Sequence, residues 1–450
     1  MDQTELPVQV PLVTEAWGIW KSFQAARRNL LELIPEIATR QPMVSGRTAK
    51  RWHMVMDPGA NRHILRDALA DYPKSDVTKF ILRPAIGDSL FVAEGAHWHW
   101  QRRAAAPAFS LRNVQALAPV MTAAAERAAE RIDCHVGRAV NLFDEMVATT
   151  FEVISDVTFS GGEQFDRAAV HRAINAYIDQ TARISFLDMI GAPGWVPRLS
   201  RMRSAPAMRA MKEMADTAID HRREAGQRPV PDLLDLLLEG EDPESGRRMT
   251  TAELRDNLLT FIVAGHETTA LTLAWSLYLV AFDPDVQQRG RSEAQAALQG
   301  RAATVADLPK LKYVRQIVDE ALRLYPPAAF LSRTARKADT LCGREVRKGD
   351  TVMLPIYALH RNHLLWPDPH RFDPDRFADP KAIDRFAYLP FGDGPRICIG
   401  ASFALQEAVI ILATLLSRFR FSRVPGRDPK PVLILTLRPE GGVWLKVEPA

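Results

Sequence analysis

The chain holds three cysteines in 450 residues, and Cys398 stands in a setting that can do chemistry, within Phe391-Gly-Asp-Gly-Pro-Arg-Ile-Cys-Ile-Gly400. Glycines on both sides let backbone N–H groups approach the sulfur, and amide donors favour a thiolate. The apolar run Ala401 to Leu416 reads as a helix, so the sulfur lies near a helix N-terminus and its positive dipole end. Phe391 supplies an apolar cover and Arg396 a fixed cation two residues away. These are the ingredients of an anionic sulfur ligand on a metal, shielded from water. A lone cysteine in a turn is otherwise an ordinary packing residue. The segment alone leaves both readings open.

A second set is Ala264-Gly265-His266-Glu267-Thr268-Thr269, inside the apolar stretch Asn257 to Phe282. Ala264 and Gly265 remove bulk, so a flat cofactor and a small gas molecule can reach the helix backbone. Thr268 can bond back to the Ala264 carbonyl and open the helix locally. A Glu–Thr pair such as Glu267 and Thr268 can relay protons from solvent. A zinc protease helix is excluded, because it needs His at position 270, where Ala270 stands. His266 reads as a packing or lining residue. Glu320 and Arg323, three apart, share a helix face, as do Trp98 and Arg102, four apart. An indole N–H beside a guanidinium suits an anion.

The elements that must position these groups are mostly helical. Apolar returns at three and four positions predict helices over 113–135, 141–159, 166–183 and 202–224. Thr250-Thr-Ala-Glu253 is a capping-box pattern opening a helix to about Ala281. Asp283-Pro284 caps the next one. Trp52 to Met56 alternates like a strand, Asp57-Pro58 opens a short helix, and strands become short beyond Leu324. Residues 190–197 form an apolar connector rich in breakers, a lid or membrane-touching loop, and 239–248 reads as a surface loop. No linker divides residues 1–450, so the expectation is one mainly α domain with a smaller β portion.

Composition narrows the class. At 47% hydrophobic and 25% charged, the chain is neither disordered nor collagen-like, and it needs no disulfide staples. The net charge is only +4 and gives no warrant for nucleic-acid binding. Three scattered cysteines without paired spacing point to a reducing, cytoplasmic compartment. Asp2, Glu5 and two prolines in the first twelve residues leave no signal-peptide core. Glu267 would cost roughly 2.5–3.5 kcal/mol at a bilayer centre, so the apolar stretch around it is expected to be a core helix rather than a transmembrane anchor.

The cysteine segment resembles the ligand loop of the cytochrome P-450 family, FxxGxRxCxG, at every fixed position. The resemblance extends over about residues 50 to 445 and implies that family's fold, with a long central helix over haem. It implies haem b (iron protoporphyrin IX) with Cys398 as the axial thiolate, which pushes electron density toward O–O cleavage. Phe391, Ala264 and Gly265 would line the cofactor, and Trp98, Arg102, Arg333 and Arg396 would hold its propionates. Glu267 and Thr268 would manage protons. Glu320, Arg323 and Arg376 would form a structural triad holding the cysteine loop.

The implied activity is insertion of one atom of O2 into a hydrophobic small molecule, fatty acid-like, terpenoid or aromatic. Electrons would come from a separate ferredoxin or flavodoxin-type donor docking over Cys398, where Arg102, Arg103 and Arg396 could form a basic patch. Implied substrate contacts are residues 80–91, 184–200, Phe261, Ile262, Ala264, 328–331 and 433–435. A peroxide-driven hydroxylase and a non-catalytic haem-thiolate ligand sensor are the alternatives.

Overall fold

The computed structural model describes residues 5–15, 17–48, 50–159 and 199–450. Its axis is the helix Thr251–Phe282, 32 residues and so ~48 Å long. Thr250 starts it: the Thr250 hydroxyl accepts from the Glu253 N–H, and Glu253 accepts in return from the Thr250 N–H at 3.0 Å. Asp283 ends it and caps the next helix, Pro284–Leu298, accepting from the N–H groups of Asp285 and Val286 at 3.1 Å. Leu271, Leu273, Ala274 and Leu279, which point to different sides of the helix, are all 0% exposed. A helix apolar all round must be wrapped on every side. Around it pack Leu142–Phe159, Leu199–Ala225, Lys312–Leu324 and Ala401–Arg418.

The β portion is small and lies mostly toward the two chain ends. A four-stranded sheet has the order β1 (Met43–Arg47), β2 (Arg51–Val55), β7 (Thr351–Leu354), β4 (Leu331–Thr334). Its β2–β7 pair is parallel, with Trp52 opposite Thr351, and β4 runs antiparallel with Arg333 opposite Val352. A second sheet joins β3 (Ala139–Asn141), β11 (Trp444–Pro449) and β8 (Phe419–Arg423). The hairpins β5–β6 (Asp339–Leu341, Arg344–Val346) and β9–β10 (Lys430–Leu433, Leu437–Glu440) complete it. The Trp275 ring stacks on Tyr325 at 4.0 Å, and its N–H donates to the Leu437 carbonyl at 3.0 Å, fastening β10 to the long helix.

The N-terminal strap, from residue 5, crosses this body and is held by hydroxyls of three distant tyrosines. Val8 N–H donates to Tyr278 and Val10 N–H to Tyr357, while Tyr325 donates to the Val8 carbonyl at 2.7 Å.

The element pattern expected from periodicity is present over 141–159, 202–224 and 250–281 within a few residues; 166–183 and most of the 184–200 connector, including 190–197, lie outside the described residues. One expected helix is two. The stretch 113–135 divides into Leu111–Ala116 and Ala118–Asp133. Pro119 sits in the first turn of the second, where its missing N–H is harmless, whereas inside a continuous helix it would break a bond. The 239–248 loop is more ordered than a plain surface connection: Glu241 bridges Arg248, and Asp242 is fully buried. Ala401–Arg418 has the length and hydropathy of a membrane span, yet two-thirds of it (67%) is buried in the protein.

Glu320 and Arg323 are both 0% exposed on the Lys312–Leu324 helix and meet as a two-pronged pair at 2.6 and 2.7 Å. Arg323 also donates to the carbonyls of His360, Pro369 and Arg371, and Glu320 accepts the Asp373 N–H at 2.9 Å. Arg376 Nε approaches Glu320 at 3.5 Å, an ion-pairing distance. His360 continues the chain: its Nε2 accepts the Leu389 N–H at 2.9 Å, so its Nδ1–H faces the Arg323 carbonyl. Leu389 lies two residues before Phe391, so this network reaches the base of the cysteine loop.

Burial and the Arg323 charge push His360 down to about 3, and burial and Arg361 push His370 to about 4. Both folded values lie below the unfolded ~6.5, so the unfolded chain binds protons that the folded one refuses. This stability is present above about pH 6.5 and is lost as pH falls toward 4, at up to roughly 2.7 kcal/mol per pH unit for two protons. Melting temperature should decline over that window, and His370→Gln should flatten the decline. An unchanged slope in His370→Gln would contradict the assignment for that residue.

Candidate active site

Cys398 is surrounded by protein yet presents open surface, so its opening faces inward. Its N–H donates to the Phe391 carbonyl at 2.9 Å, closing the loop on itself. Gly400 caps the Ala401–Arg418 helix and turns its N–H to the sulfur. Burial pushes the thiol up; the Gly400 N–H, Arg102 and Lys74 pull it back toward the thiolate. Loop shape is set from outside by the π-helical turn His63–Asp67, since a Cβ on Gly394 would lie 2.2 Å from the Leu65 carbonyl oxygen. Gly394 also has φ +72°, the left-handed region.

Beside the sulfur lies an excess of positive charge. Arg396 donates to the Ala93 carbonyl at 3.0 Å, pairs with Glu94, and stacks its guanidinium over the Trp98 ring at 4.4 Å. Trp98 is itself buried on the Gly95–Ala105 helix, and Arg102 lies one turn further on the same face. Arg102 is half-buried, its guanidinium pushed down by burial and up by the Cys398 sulfur. Arg333 is 5% exposed, and its Nε finds no acceptor among the described residues. Burial and Arg396 lower it to about 10, still protonated at neutral pH. Lys74 joins them, bridged to Arg333 across an isolated β-bridge, its ammonium over the Phe91 ring at 3.6 Å. Burial, Arg333 and Arg396 all push it down.

Lys74, Arg333 and Arg396 thus gather around Glu94, with Lys79 3.8 Å from it and Arg102 on the side of the sulfur. Like charges at such density call for further anions. Lys74 was not among the residues singled out from the sequence, because no motif spacing leads to it. The pairing with Arg333 across 259 positions is what brings it in.

The opposite wall belongs to the long helix. Ala264 is exposed, and Val263, Gly265 and Thr268 are half-exposed, in the middle of a helix buried from Thr269 to Ala281. The Thr268 hydroxyl donates to the Ala264 carbonyl at 2.7 Å, and Thr269 does the same to Gly265 at 3.0 Å. The helix nevertheless stays continuous, so the back-bond does not open it as expected. Glu267 points elsewhere. Its Oε1 accepts from the Thr436 hydroxyl at 2.9 Å and pairs with Arg438 on β10. His266 donates to the Ile262 carbonyl and sets its ring edge on Phe151, a packing role.

Two expectations change in detail. Phe261 and Ile262 are 7% and 1% exposed, with Phe261 packed edge-on against Phe109 at 5.0 Å, so they are core residues rather than pocket lining. The open apolar positions are Ala264 and Ala328, with Leu331, Ile434 and Leu435 half-open. Nor do Arg102, Arg103 and Arg396 form one surface patch. Arg103 is bonded to Asp242 at 2.5 Å and Glu244 at 3.1 Å, and Arg396 is buried on Glu94.

Among the described residues no three His, Cys, Asp or Glu side chains converge on a metal position. A single sulfur can hold a metal whose remaining positions are filled by a macrocycle, and the cation cluster suits that macrocycle's carboxylates. The residues therefore fit haem.

A family model for cytochrome P-450 matches residues 11–447. Cyclooctat-9-en-7-ol 5-monooxygenase of Streptomyces melanosporofaciens is 32% identical over 431 residues, covering 93% of this chain and 90% of that one. Cytokinin hydroxylase of Arabidopsis thaliana is 34% identical over 81% of this chain and 72% of its own. The crystal structure of the cytochrome P-450DA heme domain superposes with TM-score 0.81 at 28% identity, covering 96% of this chain and 93% of that one. The chain belongs to the cytochrome P-450 family. It is a haem-thiolate monooxygenase that uses O2, an organic substrate and a redox partner.

Gly394→Ala should destabilise the protein by at least about 2 kcal/mol, from left-handed strain and the Leu65 contact together. Chemical denaturation checks this. A stability equal to that of the unsubstituted chain would show that the π-turn does not brace the loop.

Proposed function

We propose that residues 1–450 act as one catalytic unit in which Cys398 holds the iron of haem b. The observation that carries this is the inward-opening sulfur at a helix N-terminus, with Arg102 and Lys74 acting on it, Arg333 and Arg396 close by, and Glu94 as a partial counter-charge. When bound, the haem supplies activation of O2 and transfer of one oxygen atom to a C–H bond. Arg102, Arg333 and Arg396, with Lys74, bind and orient its propionates, and Trp98 backs Arg396 as an apolar platform. Phe391 keeps water from the sulfur face. Ala264 and Gly265 leave the helix backbone bare on the other.

Thr268 Oγ1, fixed by the Ala264 carbonyl, holds a hydroxyl proton at the open side of the helix. Glu267 is the acid that resupplies it. The substrate is a hydrophobic small molecule, supported by the apolar surface at Ala264, Ala328, Leu331, Ile434 and Leu435. The electron donor is of ferredoxin or flavodoxin type. Its docking face is supported by exposed Arg62, Arg66 and Arg112 with Leu111, which is 65% exposed. These lie on segments packed against the cysteine loop and its following helix. Three free thiols fit a cytoplasmic setting.

Carbon monoxide added to the reduced protein should give the red-shifted Soret band of thiolate ligation, and Cys398→Ser should abolish it. A normal imidazole-type band in the unsubstituted protein would overturn the ligand assignment. With NAD(P)H and a surrogate ferredoxin system, Thr268→Ala should divert about tenfold more reducing equivalents to peroxide than to product. Unchanged coupling would remove Thr268 from proton delivery.

A further inference from the structure

Arg361, just past the short helix Ile356–Leu359, is buried almost as deeply as Arg323 but lacks that residue's acceptors. It is 2% exposed, and its Nε and Nη1 meet no hydrogen-bond partner among the described residues. Its guanidinium lies over the Tyr357 ring at 3.7 Å, with the Tyr325 ring at 5.7 Å. Such contacts offset part of a buried charge but give an N–H nothing to bond. Both tyrosine hydroxyls are engaged by the N-terminal strap, one with the Val8 carbonyl and one with the Val10 N–H. The carboxylate whose charge reaches Arg361 is that of Glu320, and its oxygens are committed to Arg323 and the Asp373 N–H. Two interior guanidinium groups therefore share one carboxylate, and one positive charge is left over.

A second orphan stands near the first. His370 feels the Arg361 charge, and its Nδ1 is shut from solvent with no partner among the described residues. Burial and Arg361 keep this imidazole uncharged at neutral pH, so it has one N–H to offer. With that proton on Nδ1, His370 adds a donor to the two of Arg361. The side chain is half-buried, and beyond it His363 is exposed, its ring edge-on to His370 with centroids 5.6 Å apart. Water could bond these donors but would leave the surplus charge standing, whereas an anion answers both needs. A single surplus charge calls for a monovalent ion. We propose that Arg361 and His370 form a binding site for a small monovalent inorganic anion of the halide class, reached past His363. Neither residue takes part in the cofactor and proton chemistry described above. The bound ion would act as the missing counter-charge of the interior.

The test uses the full haem-loaded chain at constant ionic strength, with sodium gluconate replaced stepwise by sodium chloride. A ligand that binds only the folded state raises the melting temperature, so chloride should lift it by at least about 2 °C by about 0.2 M and then level off. Arg361→Met keeps an apolar stem against Tyr357 and removes the charge, and its melting temperature should not respond to chloride. His370→Leu removes one donor and should raise the chloride concentration at half-effect at least about fivefold. Crystals grown in bromide should show an anomalous difference peak against the Arg361 guanidinium. If Arg361→Met does not fold, the bromide map decides: a peak there supports the site and its absence overturns it. A melting temperature indifferent to chloride at constant ionic strength, or a chloride response that persists in Arg361→Met, also overturns it and leaves water as the partner of these donors.

Discussion

Burying an arginine is costly unless its donors meet acceptors, and Arg323 meets all five of its own by gathering distant pieces of chain. Its fork takes the Glu320 carboxylate and three backbone carbonyls between residues 360 and 371. Removing either partner of such a pair leaves an uncompensated interior charge, at about 3–5 kcal/mol. Carbonyls are found on every residue, so this recognition depends on backbone path more than on side chains. The path it imposes runs through His360 to Leu389 and thence to the loop bearing Cys398. The position of the Cys398 loop is thus inherited from an ion pair 75 residues earlier in the chain.

The electrostatics around the sulfur follow a related economy. Arg333 and Arg396 lower the basicity of Lys74, Arg396 lowers that of Arg333, and Glu94 counters only part of their charge. Left alone, such a cluster would be an electrostatic liability. With two carboxylates of a macrocycle among them, as proposed, it would become a specific socket, and cofactor binding and local stability would then be the same free energy.

Much of this was legible in the sequence because local chemistry forces it. A capping box and an Asp-Pro step delimit the long helix to within a residue or two, and glycine–cysteine–glycine spacing before an apolar run marks the Cys398 loop at the start of a helix. What could not be read is what depends on distant pairing. Lys74 joins the cation cluster only because an isolated bridge places it beside Arg333, and Arg103 leaves the expected patch because a buried Asp242 claims it. Glu267 is the sharpest case. Its neighbour Thr268 suggests a local pair, but the partners that hold it come from residues 436 and 438. Phe261 and Ile262 illustrate the same limit, since an apolar stripe does not say which side is core.

The N-terminal strap has a consequence for the order in which the chain comes together. Its three anchoring hydroxyls belong to Tyr278, Tyr325 and Tyr357, contacts spanning 270 to 347 positions. The complete docking site for this segment therefore draws on residues as far along the chain as Tyr357. Loop closure over such separations is slow, so the strap is expected to seat late, over helices already assembled from nearer contacts. Segments that arrive last are also those that detach at least cost. A folding molecule would pass through a stage with its helical body formed and these three tyrosine hydroxyls not yet bonded to the strap.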